Sequence, residues 1–132
     1  HKLVLSSGRP IDSMKMVVEN DGLDFSGLYL SASNGAAIYD CDSKKMIFEK
    51  KVPMELVTKV WEMAQSRGIH IQTYNDDSII VPEPDDEIKW YTRRIRLGIT
   101  CTDDPVKALK TEPYKLLAID LNNKEVLEKL RQ

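Results

Sequence analysis

The run Ser6-Ser7-Gly8-Arg9-Pro10 follows the apolar stretch Leu3-Val4-Leu5. A hydroxyl at the carboxyl end of a strand lies where open α/β sheets bind ligands. Gly8 leaves room for a backbone N–H to approach an anion. A helix opening at Pro10 directs its positive dipole end at the same loop. Arg9 can pair with a phosphate or carboxylate through two donors. Together these residues describe an anion site, with phosphate the first candidate. An ordinary strand-turn-helix corner, with Ser and Gly as turn and cap residues, accounts for the same letters.

Other residue types that could do chemistry have plainer readings. Asp40-Cys41-Asp42 has a paired-carboxylate spacing, but Ser43-Lys44-Lys45 follow it and mark a hairpin tip. Leu116 to Asn122 ends a second apolar run with Asp120, yet its next polar position is Asn122, and an amide cannot exchange a proton as a general acid must. His1 is terminal. His70 alternates with Ile69 and Ile71 and is expected to point outward from a strand. His70, Tyr74 and Trp90 are minor candidates for touching a substrate, and Trp61 on an apolar helix stripe is expected in the core. Asp76, Asp77, Glu83, Asp85 and Asp86 read as a solvated acidic loop. Cys41 and Cys101 stand 60 positions apart, with no CxxC and no Cys/His cluster, so a zinc site is not expected.

These residues need elements to position them. Leu3 to Leu5 reads as a short buried strand, and Ile11, Met14, Val17 and Val18 give the next segment a helical apolar stripe. Asn20-Asp21-Gly22 stops that helix. Leu28 to Leu30 reads as a strand and Ser33-Asn34-Gly35 as a turn. Ala36 to Asp40 and Lys45 to Lys51 form a hairpin. Pro53 opens a helix carrying Val57, Val60, Trp61 and Ala64, ended by Gly68. Ile69 to Tyr74 and Ser78 to Val81 make a second hairpin. A helix over Asp85 to Leu97, a helical turn from Asp104 to Leu109, a strand from Tyr114 to Asp120 and a last helix capped by Asn122 complete the chain. Alternating strands and helices argue for sheet-and-helix layers. Lys50 to Pro53 is the best boundary between two parts.

The composition fits a soluble globular protein: 132 residues, 42% hydrophobic, 30% charged, net charge −2. That charge provides no lasting basic field, so a nucleic-acid partner is not expected. The local basic run Arg93-Arg94-Ile95-Arg96 reads as a solvated face beside Asp85 to Glu87. No apolar run approaches the ~20 residues of a membrane span, so no membrane partner is expected. A reducing cytoplasm is the default location.

The order LVLSSGRP, a helix, then LYLSASNGAAIYD resembles the Cof-type phosphatases of the haloacid dehalogenase (HAD) superfamily. Those proteins read hhhhTGRP, one helix, then hhhxNGA leading into a hairpin. The matching letters here are Ser7-Gly8-Arg9-Pro10 and Asn34-Gly35-Ala36. The remainder is similar to that family's cap, so the resemblance spans nearly the whole chain. It implies an α/β protein: a partial Rossmann-like HAD core over residues 1–51, then an α+β cap domain over 52–132, a sheet covered by helices. The cap is expected to be incomplete at its C-terminal end.

The resemblance also implies a reaction, phosphate-monoester hydrolysis of small phosphorylated metabolites, sugar phosphates among them. An Asp nucleophile attacks phosphorus, a second Asp exchanges the proton, and Mg2+ offsets the crowded negative charge. Ser7 matches the hydroxyl that holds the transferring phosphoryl group. Gly8 and Arg9 match the bordering loop, and Asn34 the rim of the same cleft. The family's D-x-D-G-T opening, its later lysine and its Gly-Asp-x-x-Asn-Asp magnesium motif are not among these 132 residues. The expectation is therefore an internal piece with no catalytic residue and no metal ligand of its own, inactive by itself. A non-catalytic phosphate-binding or protein-interaction module derived from that family is the alternative. A β-strand at Leu3 to Leu5 without both neighbours predicts self-association, or association with the missing core segments.

Overall fold

Leu3 to Ser6 form β1, the first strand of a sheet whose second strand, β2 (Leu28–Ala32), runs parallel to it. The computed structural model describes residues 1–75, 77–93, 95 and 97–121. The chain divides into two compact units, His1–Lys51 and Val52–Gln132.

In the first unit a parallel pair needs a crossover, and α1 (Ile11–Asn20) supplies it. Its stripe buries Met14 and Val18 beside β2, whose Leu28, Leu30 and Ala32 are buried at every second position. Fully burying side chains of this size stabilises by roughly 1.5–3 kcal/mol each. β3 (Ala37–Asp40) and β4 (Lys45–Glu49) follow as an antiparallel hairpin, and the strand order is β1-β2-β3-β4. The expected burial of Leu3 and Val4 does not hold: they are 66% and 57% exposed. A parallel strand is buried when both its edges and faces are covered, and among the described residues β1 pairs with β2 alone.

In the second unit α2 (Met54–Ser66) begins after Pro53 and buries Val57, Trp61 and Ala64. A mixed sheet follows in the order β7-β6-β5-β8, from β5 (His70–Tyr74), β6 (Ser78–Val81), β7 (Gly98–Cys101) and β8 (Leu117–Ile119). Alternation along β5 sends Ile71 into a cluster with Trp61, Ala64 and Ile69. Tyr74 instead joins Ile79, Val81 and Ile88, the last from α3 (Asp86–Thr92). The two helices thus cover opposite faces of one sheet.

Two expectations fail here for tertiary reasons. The helix expected to reach Leu97 ends at Thr92, because Gly98 to Cys101 are drawn into a parallel ladder with β6. The segment from Asp104 to Leu109 forms turns rather than a regular helix, with Asp104 Oδ1 accepting the Lys107 N–H at 3.0 Å. The expected helix after Asn122 lies outside the described residues.

Candidate functional site

Ser7, Gly8, Arg9 and Asn34 converge at the carboxyl ends of β1 and β2. Backbone hydrogen bonds hold them there. The Ser7 N–H donates to the Ser31 carbonyl (2.9 Å), extending the parallel ladder by one residue. The Ser33 N–H donates to the Arg9 carbonyl (2.9 Å) and the Asn34 N–H to the Ser7 carbonyl (3.2 Å). The loop after β1 is thereby stitched to the turn after β2. That turn needs Ser33, Asn34 and Gly35 in the left-handed region, with φ of 50°, 60° and 90°. Asn and Gly tolerate this conformation, whereas Ser33 is held in it at a cost of about 1–3 kcal/mol.

Gly8 leaves the Asn34 carboxamide the space that a side chain at position 8 would contest. A Cβ built there would stand 2.8 Å from Asn34 Oδ1, closer than real Cβ contacts come. Ser7 accepts the Arg9 N–H through Oγ at 3.2 Å. Its hydroxyl proton has no acceptor among the described residues and is available to a ligand oxygen. Arg9 Nη1 donates to Ser13 Oγ (3.3 Å), which folds the guanidinium along the first turn of α1. Pro10 is the residue before α1, one position earlier than a first-turn proline. The cluster therefore offers a hydroxyl, a guanidinium, a carboxamide and a helix N-terminus around one glycine. All of these suit an anion.

The Asp40–Asp42 pair is structural. Asp40 and Asp42 bind the tip of the β3–β4 hairpin and its neighbour: Asp40 accepts from the Asp42 N–H and the Ser43 hydroxyl, and Asp42 from the Gly27 N–H. The Ser43 hydroxyl, followed by the turn amides, holds the Asp40 carboxyl below its ordinary range. Asp120 follows β8, which pairs antiparallel with β5 through His70 and Ile119. Asn122 lies outside the described residues.

His70 contradicts the sequence reading. Its side chain is 2% exposed, because α3 covers the face to which it points. Nδ1 contacts the Asp85 carboxylate and Nε2 meets Gln72 Oε1 at 3.0 Å. Gln72 Nε2 then donates to the Tyr74 hydroxyl (2.6 Å), which donates to the Tyr91 hydroxyl (2.8 Å). His70, Gln72 and Tyr74 recur at every second position, so the pattern was present in the sequence. What was missing was the knowledge that α3 lies over it. Burial, then the bond to Tyr91, pushes the Tyr74 phenol far above its ordinary range. Lys115 lies with Nζ 4.5 Å from the Tyr74 ring centre, and burial lowers its ammonium to about 8.

The magnesium expected from the resemblance finds no ligand set here. Among the described residues no group of three or more His, Cys, Asp or Glu side chains is placed to hold a metal ion. Cys41 and Cys101 are free thiols. Among the described residues no helix is long and apolar enough to cross a membrane.

Comparison with known proteins decides the family. The model of the haloacid dehalogenase-like hydrolases matches residues 1–132. The chain belongs to this family. Solved structures share its fold, a partial HAD core followed by an α+β cap. A haloacid dehalogenase-like hydrolase from Bacteroides thetaiotaomicron aligns over 98% of this chain and 48% of its own, at 24% identity and a TM-score of 0.86. TM0651 from Thermotoga maritima aligns over 98% and 47%, at 27% identity and 0.76. The HAD subclass IIB sugar phosphatase BT4131 aligns over 98% and 48%, at 15% identity and 0.67. The chain thus spans about half the length of these solved structures. No curated protein matches it.

Proposed function

We propose that the chain forms about half of a Mg2+-dependent Cof-type phosphatase that hydrolyses small phosphorylated metabolites, sugar phosphates among them. Residues 1–51 act as part of its catalytic core and residues 52–132 as its cap. Ser7, Gly8, Arg9 and Asn34 contact the phosphoryl group. One observation carries this reading: the backbone bonds that bring the Ser7 loop and Asn34 to one point. Membership of the hydrolase family and likeness to a sugar phosphatase support it.

The 132 residues include neither a D-x-D-G-T nor a Gly-Asp-x-x-Asn-Asp motif, and the described residues hold no group of three metal-ligating side chains, so the isolated chain binds phosphate and does not turn it over. An assay on an aryl phosphate with Mg2+ tests the second half of this statement, and clear turnover overturns it. Titration with inorganic phosphate tests the first, with shifts expected at Ser7, Arg9 and Asn34. Shifts without turnover are also what a non-catalytic phosphate-binding module predicts. A D-x-D-G-T segment in the complete coding sequence separates the two. The edge of β1, with Leu3 and Val4 exposed, associates with another copy or with further core segments. Sedimentation as a monomer at high concentration removes that part of the proposal.

A further inference from the structure

His70, Gln72 and Tyr74 stand at alternate positions of β5 and so share one face of the sheet. That face is closed: the His70 side chain is 2% exposed, Gln72 0% and Tyr74 7%. Their polar atoms must therefore satisfy one another. They do so in a single line that begins and ends on the α3 side: Asp85, His70, Gln72, Tyr74, Tyr91. The direction of each bond follows from its neighbours. The Asp85 carboxylate only accepts, so His70 Nδ1 carries a proton; a bare nitrogen there would set two acceptors together. On the other side of the ring Gln72 Oε1 also accepts, so Nε2 donates. Gln72 Nε2 donates to the Tyr74 hydroxyl, which is thereby turned to donate to Tyr91. This is the line that a charged imidazole ring makes.

Loss of the Nε2 proton leaves two acceptors face to face, His70 Nε2 and Gln72 Oε1 at 3.0 Å. A half-turn of the Gln72 carboxamide removes the conflict. Its NH2 then donates to Nε2, and its oxygen accepts the Tyr74 hydroxyl, which no longer donates to Tyr91. The Tyr91 hydroxyl donates to Tyr74 instead. Burial, then the bond to Tyr91, keeps the Tyr74 phenol protonated far above its ordinary range, so it transmits direction rather than charge. Asp85 keeps the Nδ1 proton and, through Oδ1, the Ile88 N–H, so α3 retains its cap in both states. We infer that this line is a proton-operated switch: protonation of His70 sets whether the Tyr91 hydroxyl donates beyond Tyr74 or back to it. Tyr91 is half-buried, so the reversal reaches the surface of the second unit. The proton leaves through a cavity of about 170 Å³ bordered by Gln65, His70, Glu83 and Asp85. Among the described residues the charged groups facing His70 are Asp85 and Glu83; α2 brings Gln65, and β8 brings Leu117, Ala118 and Ile119. The inference does not depend on the phosphate reading of the first unit.

A pH titration of the 132-residue chain followed by NMR tests it. The variant His1→Ala leaves His70 as the one histidine, and Tyr91→Phe assigns the Tyr91 signals. Over the pH range in which the chain stays folded, the His70 ring, the Gln72 side-chain amide and the Tyr91 ring are expected to shift with one shared midpoint. Tyr74→Phe keeps the ring and removes the hydroxyl that links them. In that variant His70 and Gln72 should still titrate together, while the shift at Tyr91 is lost. Glu83→Gln removes the second carboxylate facing the ring and should leave the shared transition in place. The inference is overturned by a His70 ring that does not titrate in the folded chain, or by a Gln72 amide that does not follow it. A Tyr91 shift that survives Tyr74→Phe, or a shared transition that disappears in Glu83→Gln, overturns it equally.

Discussion

Replacing Gly8 with alanine separates the binding role of the Ser7 loop from its folding role. The new methyl would meet Asn34 Oδ1 at 2.8 Å, where ordinary contact begins at 3.4 Å, so the carboxamide must retreat by about 0.6 Å. The obstacle is the end of a side chain rather than backbone, and Gly8 does not occupy the left-handed region. Stability should therefore change little. Alanine at a compatible position gains about 0.4–1 kcal/mol by restricting the unfolded chain. Pushing Asn34 off its rotamer costs about 0.5–1.5 kcal/mol. The net lies within ~1 kcal/mol of zero, measurable by urea denaturation. Phosphate binding should suffer far more. A hydrogen bond to a charged group contributes about 1.5–3 kcal/mol, so losing that of Asn34 weakens inorganic phosphate roughly tenfold to a hundredfold. Titration followed at the Ser7 and Arg9 amides measures this. Unchanged affinity with a displaced Asn34 refutes a phosphate contact by Asn34. A loss of more than ~3 kcal/mol shows that Gly8 serves folding instead.

Two further predictions concern the second unit. The ammonium of Lys115 is lowered from 10.5 to about 8 in the folded state. Between those values the unfolded chain binds the extra proton, so stability rises as pH increases from about 8. The raised Tyr74 phenol opposes this above its ordinary value of 10.0, where the folded state keeps a proton that the unfolded state loses. Urea midpoints should therefore rise from pH 8 and turn down above pH 10, and Lys115→Met should flatten the rising limb; a rising limb that survives Lys115→Met assigns it to another group. The third prediction is Asp85→Ala. It removes the cap that accepts the Ile88 N–H at 2.9 Å and leaves the buried His70 Nδ1 without its carboxylate. A cap is worth about 0.5–2 kcal/mol and an unpaired buried polar group about 1–3, so a loss of about 2–4 kcal/mol is expected. Asp85→Asn keeps the cap and should lose less; equal losses would show that the cap is not what Asp85 contributes.

The fold was legible where local chemistry and tertiary context agree. Pro53, the Val57-Trp61-Ala64 spacing and Gly68 specify α2 regardless of what it packs on, and the two hairpins follow from alternation around polar turns. Where context decides, the letters mislead. Ile99 and Thr100 have strand character, but β7 exists because the edge of β6 is there to pair with it. His70 alternates with isoleucines as an outward residue should, yet α3 covers its face and Asp85 and Gln72 satisfy its ring. Leu3 and Val4 have the composition of a buried parallel strand and are exposed, because burial belongs to the neighbours of a strand and not to its sequence.

The candidate phosphate loop was legible for a different reason. Its short motifs record backbone requirements rather than a list of contacting side chains. Gly8 lets the Asn34 carboxamide occupy the space a Cβ would take. Asn34-Gly35 is needed because consecutive left-handed residues are tolerated best by these two types. The carbonyls of Ser7 and Arg9 accept the amides of that same turn, so the two motifs constrain each other across 23 intervening residues. Side chains that only touch a ligand can change with the ligand. Residues that let one loop close on another cannot change so freely, which is why Ser-Gly-Arg-Pro and Asn-Gly-Ala can be read as a pair. The line from Asp85 to Tyr91 has no such signature. Its residues come from a strand face and a helix that need no special backbone, and only the folded unit shows them bonded in sequence.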